Sequence, residues 1–313
     1  MVDVSIVLPA YNAELTIGEA IQSIINQTYS DWELIVINDG SSDNTENVVR
    51  AFSDKRIRYY ANDSNRKLIY SLNRGLRLAT GKYIARMDAD DICYPDRLAK
   101  QVSFMNAHPS VIVCGTQIEY FGSKLTNYRK LRFPCNNKEL KSKLAISTCF
   151  AHPTVLIRRI VLEKNNIKYD DNFKNAEDFS LWIDLSPFGE FANLPEKLLK
   201  YRISDFQISQ PNNPITEKSV LLCRKKYANM ILPNKFADNL FKKSINLDTI
   251  KQVKGLTSEK GILEACYLSM DVYNFKEFLY FFITFDFFRL GVRCFLRLLK
   301  RFLKGADPIY YIC

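Results

Sequence analysis

Over the first third of the chain, short apolar runs alternate with amphipathic stretches. Val4–Pro9 (VSIVLP) is a continuous apolar run of strand length, and Thr16–Gln27 carries Ile17, Ile21, Ile24 and Ile25 at helical spacing. Glu33–Asn38 (ELIVIN) is a second run. It ends in Asp39-Gly40-Ser41-Ser42-Asp43, a turn that leads into and caps a helix over Asn44–Phe52. Ile57–Tyr60 predicts a third strand, Lys67–Ala79 a helix stopped by Thr80-Gly81, and Lys82–Met87 (KYIARM) a fourth strand. That strand runs into Asp88-Ala89-Asp90-Asp91, Pro95 opens another helix, and Val111–Gly115 is a fifth strand. Strands separated by helices imply an α/β chain with a mostly parallel sheet and right-handed crossovers. Such sheets bind ligands beyond the carboxyl ends of their strands. Asn12, Asp39 and Asp88 all follow strand ends, so the fold gathers them although the sequence separates them.

From about 116 to 215 the alternation weakens. Ala151–Arg159 predicts a strand leading into a helix, and Glu177–Leu185 the start of a helix with Trp182 on its apolar side. Pro211-Asn212-Asn213-Pro214 is a strong break. Beyond it the pattern is helical over 216–231, then 235–254 and 258–274. The expected division is an α/β domain over 1–214 and a helical C-terminal region over 215–313.

Composition adds one directional fact. The 313 residues are 47% hydrophobic and 25% charged, which excludes wholesale disorder. Lys and Arg number 44 against 34 Asp and Glu, a net charge of +10 that points to an anionic partner. The excess concentrates near the end, where Arg289, Arg293, Arg297, Lys300, Arg301 and Lys304 face a single acid, Asp286. On a helix these six fall within an arc of about 120°, with Phe295, Leu298, Leu299, Phe302 and Leu303 around the remainder and Leu290 inside the arc. The apolar run Phe278–Phe285 is far short of the roughly 18–20 residues that span a bilayer. A helix over about 278–304, lying on an anionic membrane surface, fits this pattern; a C-terminal helix packed on its own domain is the alternative. The eight cysteines form no C-x-x-C pair and histidines number two, so a zinc site is not expected and the thiols read as free, in a reducing cytosol. The N-terminus lacks the basic and apolar pattern of a signal peptide. Nucleic-acid binding is disfavoured, because the basic residues sit in a tail without a recognised motif. Oligomeric state is not legible.

Four segments in order, Ser5-Ile6-Val7-Leu8-Pro9-Ala10-Tyr11-Asn12, Ile37-Asn38-Asp39-Gly40-Ser41-Ser42-Asp43, Asp88-Ala89-Asp90-Asp91 and Glu177-Asp178, resemble the signature of family 2 glycosyltransferases. The resemblance covers residues 4 to about 210. It implies a GT-A (Rossmann-like) fold whose residues 1–115 hold a sugar nucleotide and whose residues 116–214 receive the acceptor. It also implies inverting, metal-dependent transfer of a hexose or N-acetylhexosamine from a UDP-sugar. Bare carboxylates beside a diphosphate repel it, and a hard divalent cation, Mn²⁺ or Mg²⁺, resolves the repulsion by binding oxygens of both. By resemblance Asp88, with Ala89, faces the ribose and Asp90 holds the metal; Asp91 is a capping or supporting group.

Asp39 is assigned by resemblance to the base: a carboxylate accepts the uracil N3–H, which cytosine lacks. Pro9, Ala10, Tyr11 and Asn12 form the first loop, with Tyr11 flanking the base and Glu14 assisting. Arg66 and Lys67 precede a helix within reach of the diphosphate, or are solvated surface charges. Inverting transfer needs one carboxylate to take the acceptor proton; by resemblance that is Asp178, supported by Glu177. His152-Pro153-Thr154 and Tyr201-Arg202-Ile203-Ser204 resemble segments of bacterial enzymes that build surface polysaccharides. His152 is thus a candidate for the acceptor or a phosphate, Arg202 for the diphosphate, and Trp182 for stacking on a sugar, each with a packing role as its alternative. The absence of a Q-x-x-R-W segment and of transmembrane helices argues for single additions rather than processive synthesis. The expected setting is the cytoplasmic face of a bacterial membrane and a lipid-diphosphate-linked acceptor, in O-antigen or capsule assembly. A protein or soluble glycan acceptor is the alternative.

Overall fold

The structure, a computed structural model, describes residues 2–122, 131–204 and 213–231. The expected helices over 235–254 and 258–274 and the basic segment 278–304 lie outside the described residues. The chain divides into two compact units, Met1–Leu140 with Cys149–Ile208, and Lys141–Thr148 with Ser209–Cys313.

The first unit carries the sheet. Its strands are β1 (Val4–Ala10), β2 (Trp32–Asn38), β3 (Ile57–Ala61), β4 (Tyr83–Arg86), β5 (Ile92–Cys93), β6 (Val111–Gly122), β7 (Leu156–Arg158) and β8 (Glu190–Ile203). They lie in the order β3-β2-β1-β4-β7-β6-β8-β5. Four of the seven pairings are parallel. Helices α1 (Ile17–Ile25), α2 (Thr45–Arg50), α3 (Leu68–Leu78) and α4 (Arg97–Ala107) connect the first strands, and α6 (Arg159–Lys164) and α7 (Glu177–Leu185) follow β7; α5 is Asn137–Lys143. Every residue of β1 and β2 is buried, as expected of parallel strands covered on both faces. Pro9 is tolerated inside this central strand because β4 stops pairing at Val7–Arg86, below it.

Two expectations need adjustment. The strand expected from Ala151 begins only at Leu156, because His152–Thr154, with Pro153 inside, winds as a 3₁₀ turn. The weakly patterned region after 116 contains β8, which pairs with β6 from Val111 to Gly122 through several register shifts. In the second unit α8 (Pro214–Ile231) is tied to the 141–148 segment, where Arg224 Nε donates to Ile146 O at 2.8 Å and Tyr227 Oη to Lys141 O at 2.8 Å. Among the described residues no helix is long and apolar enough to cross a membrane, and Cys93, Cys114, Cys135, Cys149 and Cys223 are free thiols.

Candidate active site

The loops after β1 and β2 are clamped to one another. Asn12 N–H donates to Ser41 Oγ at 2.9 Å, and Asn12 Oδ1 accepts from Ser42 N–H at 2.9 Å. Glu14 N–H donates to Asp43 and Glu14 Oε2 accepts from Asn44 N–H at 2.8 Å. The side chains of Asn12 and Glu14 therefore bind the neighbouring loop. Tyr11 stands 49% exposed at its edge. Pro9 and Ala10 are buried at the end of β1, and Asp39 N–H donates to Ala10 O at 2.8 Å.

Asp39, at the end of β2, is 4% exposed. Its Oδ1 accepts from Asn62 Nδ2 at 2.6 Å and from Arg66 N–H at 2.9 Å. No described residue donates to its Oδ2. The Arg66 guanidinium lies 4.5 Å from the centre of the Tyr70 ring. Lys67 is exposed and caps α3 with φ 71° and ψ 165°, a backbone region that only glycine adopts freely.

Beyond β4 the chain turns through Asp88-Ala89-Asp90-Asp91. One carboxylate oxygen from each of Asp88, Asp90 and Asp91 lies within 4.8 Å of the others. Arg86, 5% exposed, forms an ion pair with Asp88. Arg97, also buried, fixes this strand end by donating to Arg86 O at 2.9 Å. Arg202, at the end of β8, wraps the turn from outside. Its N–H donates to Asp91 Oδ1 at 2.9 Å, its Nε donates to Asp90 O at 2.7 Å, and it pairs with Glu19. Burial and then the Asp88 charge push the Asp90 carboxyl above its usual range. Asp91, 1% exposed, is pushed up the same way, with Asp90 adding to the repulsion. Its Oδ2 is buried with no hydrogen-bond partner. Three carboxylates at this spacing, with Asp91 Oδ2 buried and unpartnered, are hard oxygen donors that fit a divalent cation.

Glu177 and Asp178 open α7. Burial, then the charge of Asp178, pushes the Glu177 carboxyl up to about 7, with Asp88 adding to the rise and Arg86 opposing it. Tyr169 is buried and its phenol is raised by burial, with Glu177, Asp178 and Asp88 contributing. Its hydroxyl meets His152 Nε2 at 2.8 Å. Burial and Arg86 hold His152 well below its usual pKa, so it is neutral. Trp182 is fully buried and packs edge-on against Phe150 and His152, the geometry of its packing alternative. Arg86, Asp88, Tyr169, Glu177 and Asp178 thus share one electrostatic neighbourhood. Arg86, Asn62 and Tyr169 were absent from the sequence-based candidates. A charged residue inside the apolar run KYIARM was a signal for Arg86; Asn62 and Tyr169 sit in polar loops and gave none.

A sequence-family model described as glycosyl transferase family 2 matches residues 5–165. An uncharacterized glycosyltransferase of Haemophilus influenzae is 32% identical over 98% of this chain and 98% of its own length. The chain belongs to glycosyl transferase family 2. Another relative of this glycosyltransferase is the UDP-Glc:alpha-D-GlcNAc-diphosphoundecaprenol beta-1,3-glucosyltransferase WfgD of Escherichia coli. It is 32% identical over 66% of this chain and 79% of its own. Among solved structures, S. aureus TarS 1-349 in complex with UDP-GlcNAc superposes with a TM-score of 0.65 at 17% identity, covering 97% of this chain and 92% of that one. The glycosyltransferase has the GT-A fold.

Proposed function

We propose that this glycosyltransferase moves one hexose or N-acetylhexosamine from a UDP-sugar to a lipid-diphosphate-linked saccharide, inverting the anomeric centre, in O-antigen, capsule or related surface-glycan assembly. The observation that carries this reading is the convergence of the Asp88–Asp91 carboxylates with Glu177 and Asp178 around Arg86. Asp39 accepts the uracil N3–H on its open oxygen, and Tyr11 and the backbone of Pro9–Asn12 flank the base. Asp88 and Ala89 face the ribose. Asp90, with Asp91 beside it, holds Mn²⁺ or Mg²⁺; Lys67 serves the diphosphate, whereas Arg202, engaged by Asp90 O and Glu19, braces the turn instead. The cation, when bound, supplies the positive charge that lets the diphosphate depart unprotonated. Asp178 takes the proton of the acceptor hydroxyl as its oxygen attacks the anomeric carbon. An α-linked donor then gives a β-glycoside. The activity that names WfgD supports the donor, the lipid-diphosphate acceptor and the β linkage. The basic amphipathic segment 278–304 supports an acceptor presented at the cytoplasmic membrane face, with the enzyme peripheral to it.

A second reading exchanges the two α7 acids: Glu177, held near 7, is suited to accept a proton at neutral pH. A donor screen with UDP-sugars, Mn²⁺ and a synthetic lipid-diphosphate GlcNAc or GalNAc acceptor tests both. The proposal expects turnover by the parent enzyme and a loss of about 10²–10⁴-fold in Asp178→Asn, with a comparable collapse in Asp90→Ala. Glu177→Gln being dead while Asp178→Asn turns over selects the second reading. An α-anomeric product by proton NMR, or full turnover in Asp90→Ala, overturns the inverting, metal-dependent mechanism.

A further inference from the structure

Asp39 reads a base well only if its carboxylate is held in one orientation, and the structure shows what holds it. Asn62 follows β3 and is 7% exposed. Its backbone N–H extends the sheet ladder by donating to Asn38 O at 2.8 Å, which fixes it beside Asp39. Its side-chain amide is satisfied on both sides. Nδ2 donates to Asp39 Oδ1 at 2.6 Å and to Ser71 Oγ at 2.9 Å, and Oδ1 accepts from Arg74 Nη1 at 2.5 Å. Arg74 is itself anchored on Ala61 O at 2.6 Å, and Ser71 is fully buried. The amide cannot flip: exchanging its ends would put an oxygen against the Asp39 carboxylate and a donor against the Arg74 guanidinium. The 62–67 loop is equally constrained. Gly40, at φ +71°, lies under it so closely that a Cβ would stand 2.6 Å from the Ser64 carbonyl carbon.

We infer that Asn62, backed by Ser71 and Arg74 of α3, is a positioning residue for nucleobase selection. It occupies Oδ1 of Asp39 and thereby presents Oδ2 to the base in one orientation. This rests on the reading of Asp39 as the uracil acceptor. Both donors on Asp39 converge on the same oxygen, and this asymmetry is what a carboxylate needs to accept one N–H from a ligand rather than being spread over its surroundings. Groups that orient a ligand-binding side chain control its affinity as the side chain itself does. A site built to pair with an N–H discriminates against analogues that lack it, because a mismatched buried acceptor is left unpaired. Asn62 therefore acts on the choice between uracil and cytosine, not on binding of the diphosphate shared by both.

The test measures UDP and CDP dissociation constants by calorimetry, with Mn²⁺ present, for the full chain. Asn62→Ala weakens UDP about tenfold and leaves CDP within about twofold, so the preference narrows about tenfold. Ser71→Ala and Arg74→Gln loosen Asn62 from behind and narrow the preference in the same direction, each by about two- to threefold. They carry the test if circular dichroism shows Asn62→Ala unfolded. Asp39→Asn serves as the reference for the underlying reading and abolishes the preference. Equal weakening of UDP and CDP in the folded variants, or no change in either, overturns the role of Asn62 while loss of preference in Asp39→Asn leaves the base reading standing. A UDP preference that survives Asp39→Asn overturns the base reading and this inference with it.

Discussion

Asp39 and Asp91 are both buried carboxylates near the carboxyl ends of parallel strands, yet their surroundings differ. Asp39 has two N–H donors on one oxygen, with Asn62, Ser71 and Arg74 arranged behind them. Asp91 has the Arg202 N–H on one oxygen, nothing on the other, and two further carboxylates beside it. An unpaired buried polar atom costs about 1–3 kcal/mol, more when charged, and the Asp88 and Asp90 charges add to that cost. Around Asp39 the protein supplies two N–H donors to one oxygen and none to the other, which the proposed function gives to the base. Around the turn after β4 the Arg86 and Arg202 side chains stand against three clustered carboxylates. Under the proposed function the first arrangement selects a base by geometry, and the second is balanced by the cation.

The sharpest way to break this comparison is to exchange the two failures. Asp91→Asn is expected to lower Mn²⁺ affinity about 10–100-fold in an electron paramagnetic resonance titration with UDP present. Asp39→Asn is expected to leave Mn²⁺ affinity measured without nucleotide within about twofold. Equal Mn²⁺ affinity in Asp91→Asn and the parent would mean that Asp91 is a protonated spacer, and the contrast between the two ends would vanish.

A second difference appears in the dependence of stability on pH. Glu177 is raised from its ordinary 4.5 to about 7, so the folded chain binds this proton more tightly than the unfolded one. Its contribution is complete below about pH 4.5 and is lost as pH rises through about 7. Asp90 and Asp91 are raised too and act in the same sense. Calorimetric melting in a chelator is therefore expected to show a lower Tm at pH 8 than at pH 5, with up to about 3 kcal/mol of the loss belonging to Glu177. Glu177→Gln flattens that slope and melts above the parent at pH 8. A slope unchanged by the substitution would remove Glu177 from the acidic cluster.

What the sequence revealed follows the same physical division. β1, β2 and β4 were legible because parallel strands covered on both faces read as apolar runs, and the loops that follow them carry Asp39 and the Asp88–Asp91 turn. β8 was not legible. Its central residues Pro195, Glu196 and Lys197 are exposed while Phe191–Leu194 and Leu198–Leu199 on either side are buried, and its partner β6 lies some eighty residues away. Leu156 starts β7 late because Pro153 shapes the turn before it. Asn62 and Tyr169 acquire their roles only through contacts with α3, Asp39 and His152, which no local period announces.

The smallest effect concerns Lys67, at the edge of the over-determined side. Its φ of 71° and ψ of 165° cost a non-glycine residue about 1–3 kcal/mol. The loop holds it there, through Asn65 Oδ1 accepting its N–H at 3.1 Å and through the seating of residues 64 and 65 on Gly40. Lys67→Gly relieves the strain and gives back about 0.4–1 kcal/mol through the freer unfolded chain. The net gain is about 1 kcal/mol, or roughly 2–4 °C in Tm. Lys67→Ala removes the same charge and keeps the strain, so its Tm stays at the parent value. If the strained backbone exists to aim the ammonium at the donor diphosphate, both variants raise the KM for the UDP-sugar alike while only the glycine variant melts higher. A glycine variant no more stable than the alanine variant would show that the loop does not force this conformation. Donor KM values equal to the parent in both would place Lys67 among the solvated surface charges.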